Sequence, residues 1–311
     1  MSDTRGQGFV RYLSSKKSVD DRALNKHVRD MLAAALPKSS PKTPLKVLEL
    51  GAGIGTMIER LIEWKLLAFA DYTAVDSDAD CIDESRPRIA RWAGSEGFDF
   101  SRRPGNAALI RTEAGDVSLK FDQADVYAFL SPQNSGAQQW DLGLAHAFMD
   151  VIDIEAVLPR FCNLIKPGGL LYLTLNYDGE TIFLPELNHA LEERISQLYN
   201  RSMDDRITGG RKTGGSHTGR KLFGRLKALD AAILAAGASD WIVLAGPQGY
   251  PQDECYFLNY ILDTIYNELK GHPGLDQNEF ESWIQMRHDQ AAKAELIFIA
   301  KNLDILVRVA D

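Results

Sequence analysis

The alternation of apolar and polar positions divides the chain into a regular series of elements. Leu24, Val28, Leu32 and Leu36 recur at every fourth position and predict one buried face of a helix, opened by Ser18 or Asp20. Ser39-Ser40-Pro41-Lys42-Thr43-Pro44 reads as a linker. Val47, Leu48 and Leu50 then leave little solvated face, as in a central parallel strand. From Ile54 the pattern becomes helical, with Met57, Ile58, Leu61 and Ile62 on the same face. Tyr72–Asp76 predicts a second strand, and 78–92 a helix. Residues 94–115 predict a surface excursion or a hairpin, and Val117–Phe121 alternates as a strand. Trp140–His146 is a fourth strand, and Ile154–Ile165 is a helix closed by Lys166-Pro167-Gly168-Gly169. Leu170–Leu175 is a fifth, continuously apolar strand.

Beyond it the rhythm changes. A helix is predicted over 185–199, followed by a glycine-rich, locally basic run from Arg206 to Phe223. A helix over 226–236 closed by Gly237, a strand over 240–245, and helices over 254–269 and 280–293 complete the pattern. Two strand-like runs, 294–300 and 303–308, are separated near Asn302. The domain organisation expected is a helical cap (1–40), an α/β core (41–176 and 226–311) and an inserted lid (177–225).

Composition narrows the classes. With 311 residues, 45% hydrophobic and 25% charged, the chain can bury one large core. A net charge of −8 argues against a nucleic-acid partner. No stretch is apolar enough to span a membrane, and no signal-peptide core opens the chain. Three scattered cysteines fit neither a disulfide framework nor a zinc site, so the expectation is a cytoplasmic protein without a metal.

The candidate chemistry begins at Glu49-Leu50-Gly51-Ala52-Gly53-Ile54-Gly55-Thr56, a strand, a glycine turn and a helix start. The glycines let the backbone turn sharply and approach a ligand closely. A dinucleotide fingerprint would place its third glycine where Thr56 stands. Glu49 before the turn would repel phosphate and suits a cationic amine. About 20–25 residues on, where a ribose-binding acid is expected, the second strand ends in Asp76.

These residues resemble the class I S-adenosylmethionine-dependent methyltransferases. The resemblance covers 45–176 well and 226–300 by pattern. It implies a Rossmann-like, doubly wound, mostly parallel sheet with an antiparallel last strand, here with a lid inserted after the fifth. It also implies S-adenosyl-L-methionine as cofactor, held by Glu49, Gly51, Ala52, Gly53, Gly55, Asp76 and Ser77. Asp125 and Val126 match the position that receives the adenine amino group, and Ala145 and His146 the strand tip beside the sulfonium. The family's N/D-P-P-Y/F tetrapeptide of nucleic-acid enzymes is missing after the fourth strand.

On the acceptor side, His146 and His217 are candidate proton acceptors, and Tyr177, Arg211 and Arg220 candidate substrate contacts. Lys16, Lys17 and Arg22 are cations available to the methionine carboxylate. The function expected is methyl transfer to an O, N or C nucleophile of a small polar or anionic molecule. The alternatives are a non-catalytic S-adenosylmethionine-binding module and an NAD-dependent oxidoreductase.

Overall fold

A computed structural model describes residues 3–131 and 140–310; residues 1–2 of the expected cap lie outside them. The cap consists of three helices, α1 (Asp3–Ser15), α2 (Lys17–Ala23) and α3 (Lys26–Ala35). Asn25 caps α3 by accepting from the Val28 amide, and Val28 and Leu32 are fully buried. The core follows as β1 (Leu45–Leu50), α4 (Thr56–Glu63), β2 (Ala70–Asp76) and α5 (Ala79–Ser95), the last capped by Asp78. The 94–115 excursion is a hairpin, β3 (Asp99–Arg103) and β4 (Ala107–Arg111), which pairs with β5 (Asp116–Gln123) and extends the sheet. After α6 (Val126–Phe129) come β6 (Trp140–His146), α7 (Ile154–Leu164) and β7 (Ile165–Leu184).

Two expectations are corrected here. The fifth strand does not end at Leu175, so the insertion does not begin at 177. β7 runs on to Leu184 because Thr181–Leu184 pairs with Ile297–Ala300. α7 ends at Leu164, just before Lys166–Gly169, and these four residues form an irregularity at the start of β7, since Trp140 pairs with Ile165 and Leu142 already with Leu170. The insertion proper holds α8 (His189–Asp205), the hairpin β8 (Ile207–Thr208) and β9 (Arg211–Lys212), and α9 (Thr218–Ala228).

The second correction concerns 226–236, which is not one helix. Asp230 adopts a left-handed backbone (φ 55°), and Ala232–Ala238 is a strand, β10, antiparallel to the last strand. The helix preference of alanine amounts to tenths of a kcal/mol per residue and yields to pairing at the sheet edge. Gly237 is needed for close approach: a Cβ there would meet the Asn25 side chain. β11 (Trp241–Val243), α10 (Glu254–Leu269) and α11 (Gln277–Ala292) follow. The two final apolar runs form one strand, β12 (Ile297–Arg308), with its register shifting on either side of Asn302.

The main sheet has the order β10-β12-β7-β6-β1-β2-β5-β4-β3, with β11 on β12. The central pairs β7–β6–β1–β2–β5 are parallel, and β12 is antiparallel to both its neighbours. This is the Rossmann-like, doubly wound sheet with an antiparallel last strand. Two apolar clusters include side chains from both core strands and flanking helices, and a third joins the far ends of β7 and β12 to α8, α10 and α11. Among the described residues, no helix is long and apolar enough to cross a membrane, and no group of three His, Cys, Asp or Glu is placed to hold a metal.

Candidate active site

Open α/β sheets bind ligands beyond the carboxyl ends of their strands, where the strand order reverses. Here that point lies between β1 and β6, and a cavity of about 520 Å³ opens there. Glu49 and Asp76 both line it, together with Gly51, Ala52, Gly53 and Ser77. The turn after β1 is left-handed at Gly51 (φ 70°) and Gly53 (φ 53°). A Cβ on Gly51 would run into the ring of Phe148. The Gly51 and Ala52 amides donate to the Val75 carbonyl at 2.9 and 3.0 Å, and the Gly53 amide to Asp76 Oδ2 at 2.7 Å. Asp76 Oδ1 accepts from the Asp78 amide at 2.9 Å, so this carboxylate fixes the turn on one side and faces the cavity on the other. Gly55 lies behind the turn, where a Cβ would stand 2.9 Å from Ile89, and does not line the cavity.

Glu49 is fully buried and accepts from the Tyr72 hydroxyl at 2.6 Å. Burial pushes its carboxyl up to about 8, so it keeps its proton near neutrality until a cation reaches it. A smaller cavity of about 190 Å³ shares Gly51, Asp76 and Ser77 with the first and extends to Asp125 and Val126. Asp125 caps α6, accepting from the amides of Tyr127 and Ala128 at 2.9 and 3.1 Å. The two cavities thus run from Glu49 across the glycine-rich turn to Asp125.

His146 lines the main cavity, but both ring nitrogens are engaged. Nδ1 lies 2.8 Å from Thr174 Oγ1, and Nε2 lies 3.1 Å from Asp20 Oδ2 and 3.0 Å from Arg60 Nη1. Burial and the Arg60 charge lower its pKa to about 4, so it stands neutral in the wall. Arg60, also fully buried, donates to Asp21 at 2.6 Å. Burial raises the Asp20 carboxyl, but Lys16, His146 and Arg60 outweigh it and hold the group well below the usual range. This network ties α2 to the tip of β6. Nearby, Ala147 (φ 49°) and Leu175 (φ 53°) are left-handed and both line the cavity. The Ala147 amide is held by the Thr174 carbonyl, and the Leu175 amide by Asp304, each at 2.8 Å. Strained backbone of this kind persists where the surroundings fix it and clusters at functional sites.

The other predicted residues fall in several places. Tyr177 lines the cavity, its hydroxyl donating to Asn200 at 3.0 Å. Ala145 is buried within β6 behind the wall. His217, Arg211 and Arg220 do not reach the main cavity. His217 packs on Gly179 and pairs with Ser216 at 2.8 Å. Arg220, more than half exposed, is taken up by Asp178. Arg211 lies over the ring of Tyr127, 4.4 Å from its centre, while Thr208 and Tyr127 line the smaller cavity. The glycine-rich hairpin therefore covers the Asp125 end, and Tyr199, Met203 and Arg206 at the end of α8 line the main cavity instead. Of the three N-terminal cations, Lys16 lines the cavity, whereas Lys17 pairs with Asp21 and Arg22 with Glu254. Sequence reasoning missed Tyr12, Asp150, Tyr199, Trp241 and Tyr260, which converge from five elements and share no local motif.

No known family model and no curated protein matches the chain. Solved structures do. A Haemonchus contortus phosphoethanolamine N-methyltransferase 2, in complex with phosphomonomethylethanolamine and S-adenosylhomocysteine, is 12% identical with a TM-score of 0.42; the match covers 91% of this chain and 52%, about half, of that one. An S-adenosylmethionine-dependent methyltransferase of Geobacter sulfurreducens, with S-adenosylhomocysteine, is 11% identical over 93% of this chain and 92% of that one, TM-score 0.45. The YcgJ protein of Bacillus subtilis is 11% identical over 92% and 99%, TM-score 0.47.

Proposed function

We propose that this chain is an S-adenosylmethionine-dependent methyltransferase acting on a small molecule in the main cavity. The observation that carries the reading is that Glu49 and Asp76, at the ends of adjacent parallel strands, face one cavity across a glycine-rich turn. The residues fit the cofactor. Gly51 and Gly53 add no side chain of their own to the wall they line, Asp76 can accept from ribose hydroxyls, and buried Glu49 can receive an ammonium. Lys16, paired with Asp20, lines the same cavity and can meet a carboxylate, and the smaller cavity offers Asp125 and Val126 to a base. The cavity volume lies in the range of small-molecule sites, roughly 300–1,000 Å³.

When bound, the cofactor would supply a methyl group already activated by a sulfonium. The protein's task is then to place a nucleophile in line with that methyl and exclude water. The aromatic wall of Phe9, Tyr12, Tyr177, Tyr199, Trp241 and Phe298 serves the second purpose. An anionic acceptor has little support, because Arg211 and Arg220 lie off the cavity and Arg206 approaches Glu268 at 3.8 Å.

The test is calorimetric titration with S-adenosylhomocysteine. Asp76→Ala and Gly53→Val should each weaken binding by at least tenfold, with the fold retained by circular dichroism. Unchanged binding in either variant, or binding of a nicotinamide dinucleotide in its place, overturns the reading.

A further inference from the structure

Seven side chains lining the main cavity carry or can carry charge. Lys16 meets Asp20 at 3.0 Å, and Arg206 approaches Glu268. Asp76 and Asp78 accept from backbone amides, Glu49 from Tyr72, and His146 is held by Thr174, Asp20 and Arg60. Asp150 differs. It follows the tip of β6, and its Oδ1 is buried without a hydrogen-bond partner. Burial raises its carboxyl pKa, and its own backbone amide, Lys16 and Arg206 oppose that rise only in part. A buried carboxylate oxygen left unmatched is costly, and an approaching cation removes the cost.

What surrounds it is aromatic. The phenols of Tyr12, Tyr177 and Tyr199, raised chiefly by burial, all feel the Asp150 charge, and Trp241 and Tyr260 line the same cavity. Tyr12 is stacked on Tyr260 with ring centres 4.1 Å apart, and the Tyr177 hydroxyl is held by Asn200. Rigid π faces around one unmatched carboxylate are the chemistry that recognises an ammonium. An anionic acceptor would meet Asp150 with like charge, and a carbon nucleophile would leave it unmatched.

We infer that the acceptor site takes an amine, with Asp150 receiving its nitrogen and Tyr12, Tyr177 and Tyr199 enclosing it. The inference rests on the methyltransferase reading and names its substrate class. A neutral amine nitrogen would form the new N–C bond as the S–C bond breaks, with the electron pair of that bond staying on sulfur. The positive charge then passes to nitrogen beside Asp150; a primary or secondary amine afterwards gives a proton to that carboxylate and on to water.

The experiment titrates the protein, saturated with S-adenosylhomocysteine, with choline and with its neutral isostere 3,3-dimethylbutan-1-ol. Choline should bind at least tenfold more tightly. Asp150→Asn should remove that preference and leave affinity for S-adenosylhomocysteine unchanged, and Tyr199→Leu should weaken choline alone by about fivefold. Equal binding of the two probes to the wild-type protein, tighter binding of benzoate than of choline, or a preference that survives in Asp150→Asn overturns the inference. The wild-type comparison decides the matter even if a variant fails to fold. Loss of S-adenosylhomocysteine binding by the wild type would instead defeat the underlying methyltransferase reading.

Discussion

The glycine-turn side of the cavity and the side facing it are built by opposite means. The turn side comes from two short stretches, Glu49–Thr56 and Val75–Asp78, on adjacent strands whose backbone amides and one carboxylate hold each other. The facing side draws residues from α1, α8, β11, α10 and β12, and is fastened through ion pairs from α2 to Arg60 and a buried contact from Asp20 to neutral His146. Backbone geometry carries the first side and long-range electrostatics the second. Substitutions and pH should therefore act on them differently.

The largest effect is expected at the fastening. Asp20→Ala leaves Arg60, Lys16 and His146 buried without their shared acceptor and should cost about 4 kcal/mol by urea unfolding. A loss under about 1 kcal/mol would show that the pairs do not hold the facing side in place. Next come two titrations of opposite sign. Glu49 has its pKa raised from 4.5 to about 8, so its contribution is complete below pH 4.5 and is lost as pH rises through 8. Across that window the wild type should lose more stability than Glu49→Gln. The slope of the difference approaches about 1.4 kcal/mol per pH unit midway between the two pKa values.

His146 has its pKa lowered from 6.5 to about 4, so its contribution is complete above pH 6.5 and is lost as pH falls toward 4. Between those two values the wild type should lose more stability than His146→Gln, and the imidazole should remain neutral by NMR at about pH 5.5. Parallel profiles for variant and wild type would refute either assignment. The smallest effect is expected at Arg220→Ala. Its pair with Asp178 is largely solvated, so stability should change by no more than about 0.5 kcal/mol, with S-adenosylhomocysteine affinity unaltered. A tenfold loss of binding would return Arg220 to the site.

The same contrast explains what was legible in the sequence. Glu49, Gly51, Gly53 and Asp76 were readable because strand, turn and acid lie in fixed local order, and their close approach demands glycine. Asp150 was not, because its meaning depends on a partner that its buried oxygen lacks, and no local pattern records that. Tyr12 and Tyr260 are far apart in the chain and become neighbours only when α1 packs on α10. His217 and Arg220 carried the right chemistry in a loop of plausible composition, yet Ser216 and Asp178 claim them. The strand at 232–238 was hidden by alanines, whose weak helical preference gave way to pairing with β12. The length of β7 was hidden by Asn176 and Tyr177, which looked like a strand exit but continue the ladder toward Leu184.

That length has a mechanical consequence. β7 and β12 run as paired beams from the sheet beside β6 to the platform that carries α8, α10 and α11, interrupted only by shifts of register. The cavity residues Tyr177 and Thr181 of β7 and Phe298, Ala300 and Asn302 of β12 are therefore held in one hydrogen-bonded ladder. A substitution that broke this ladder would disturb the cavity wall and the apolar platform together.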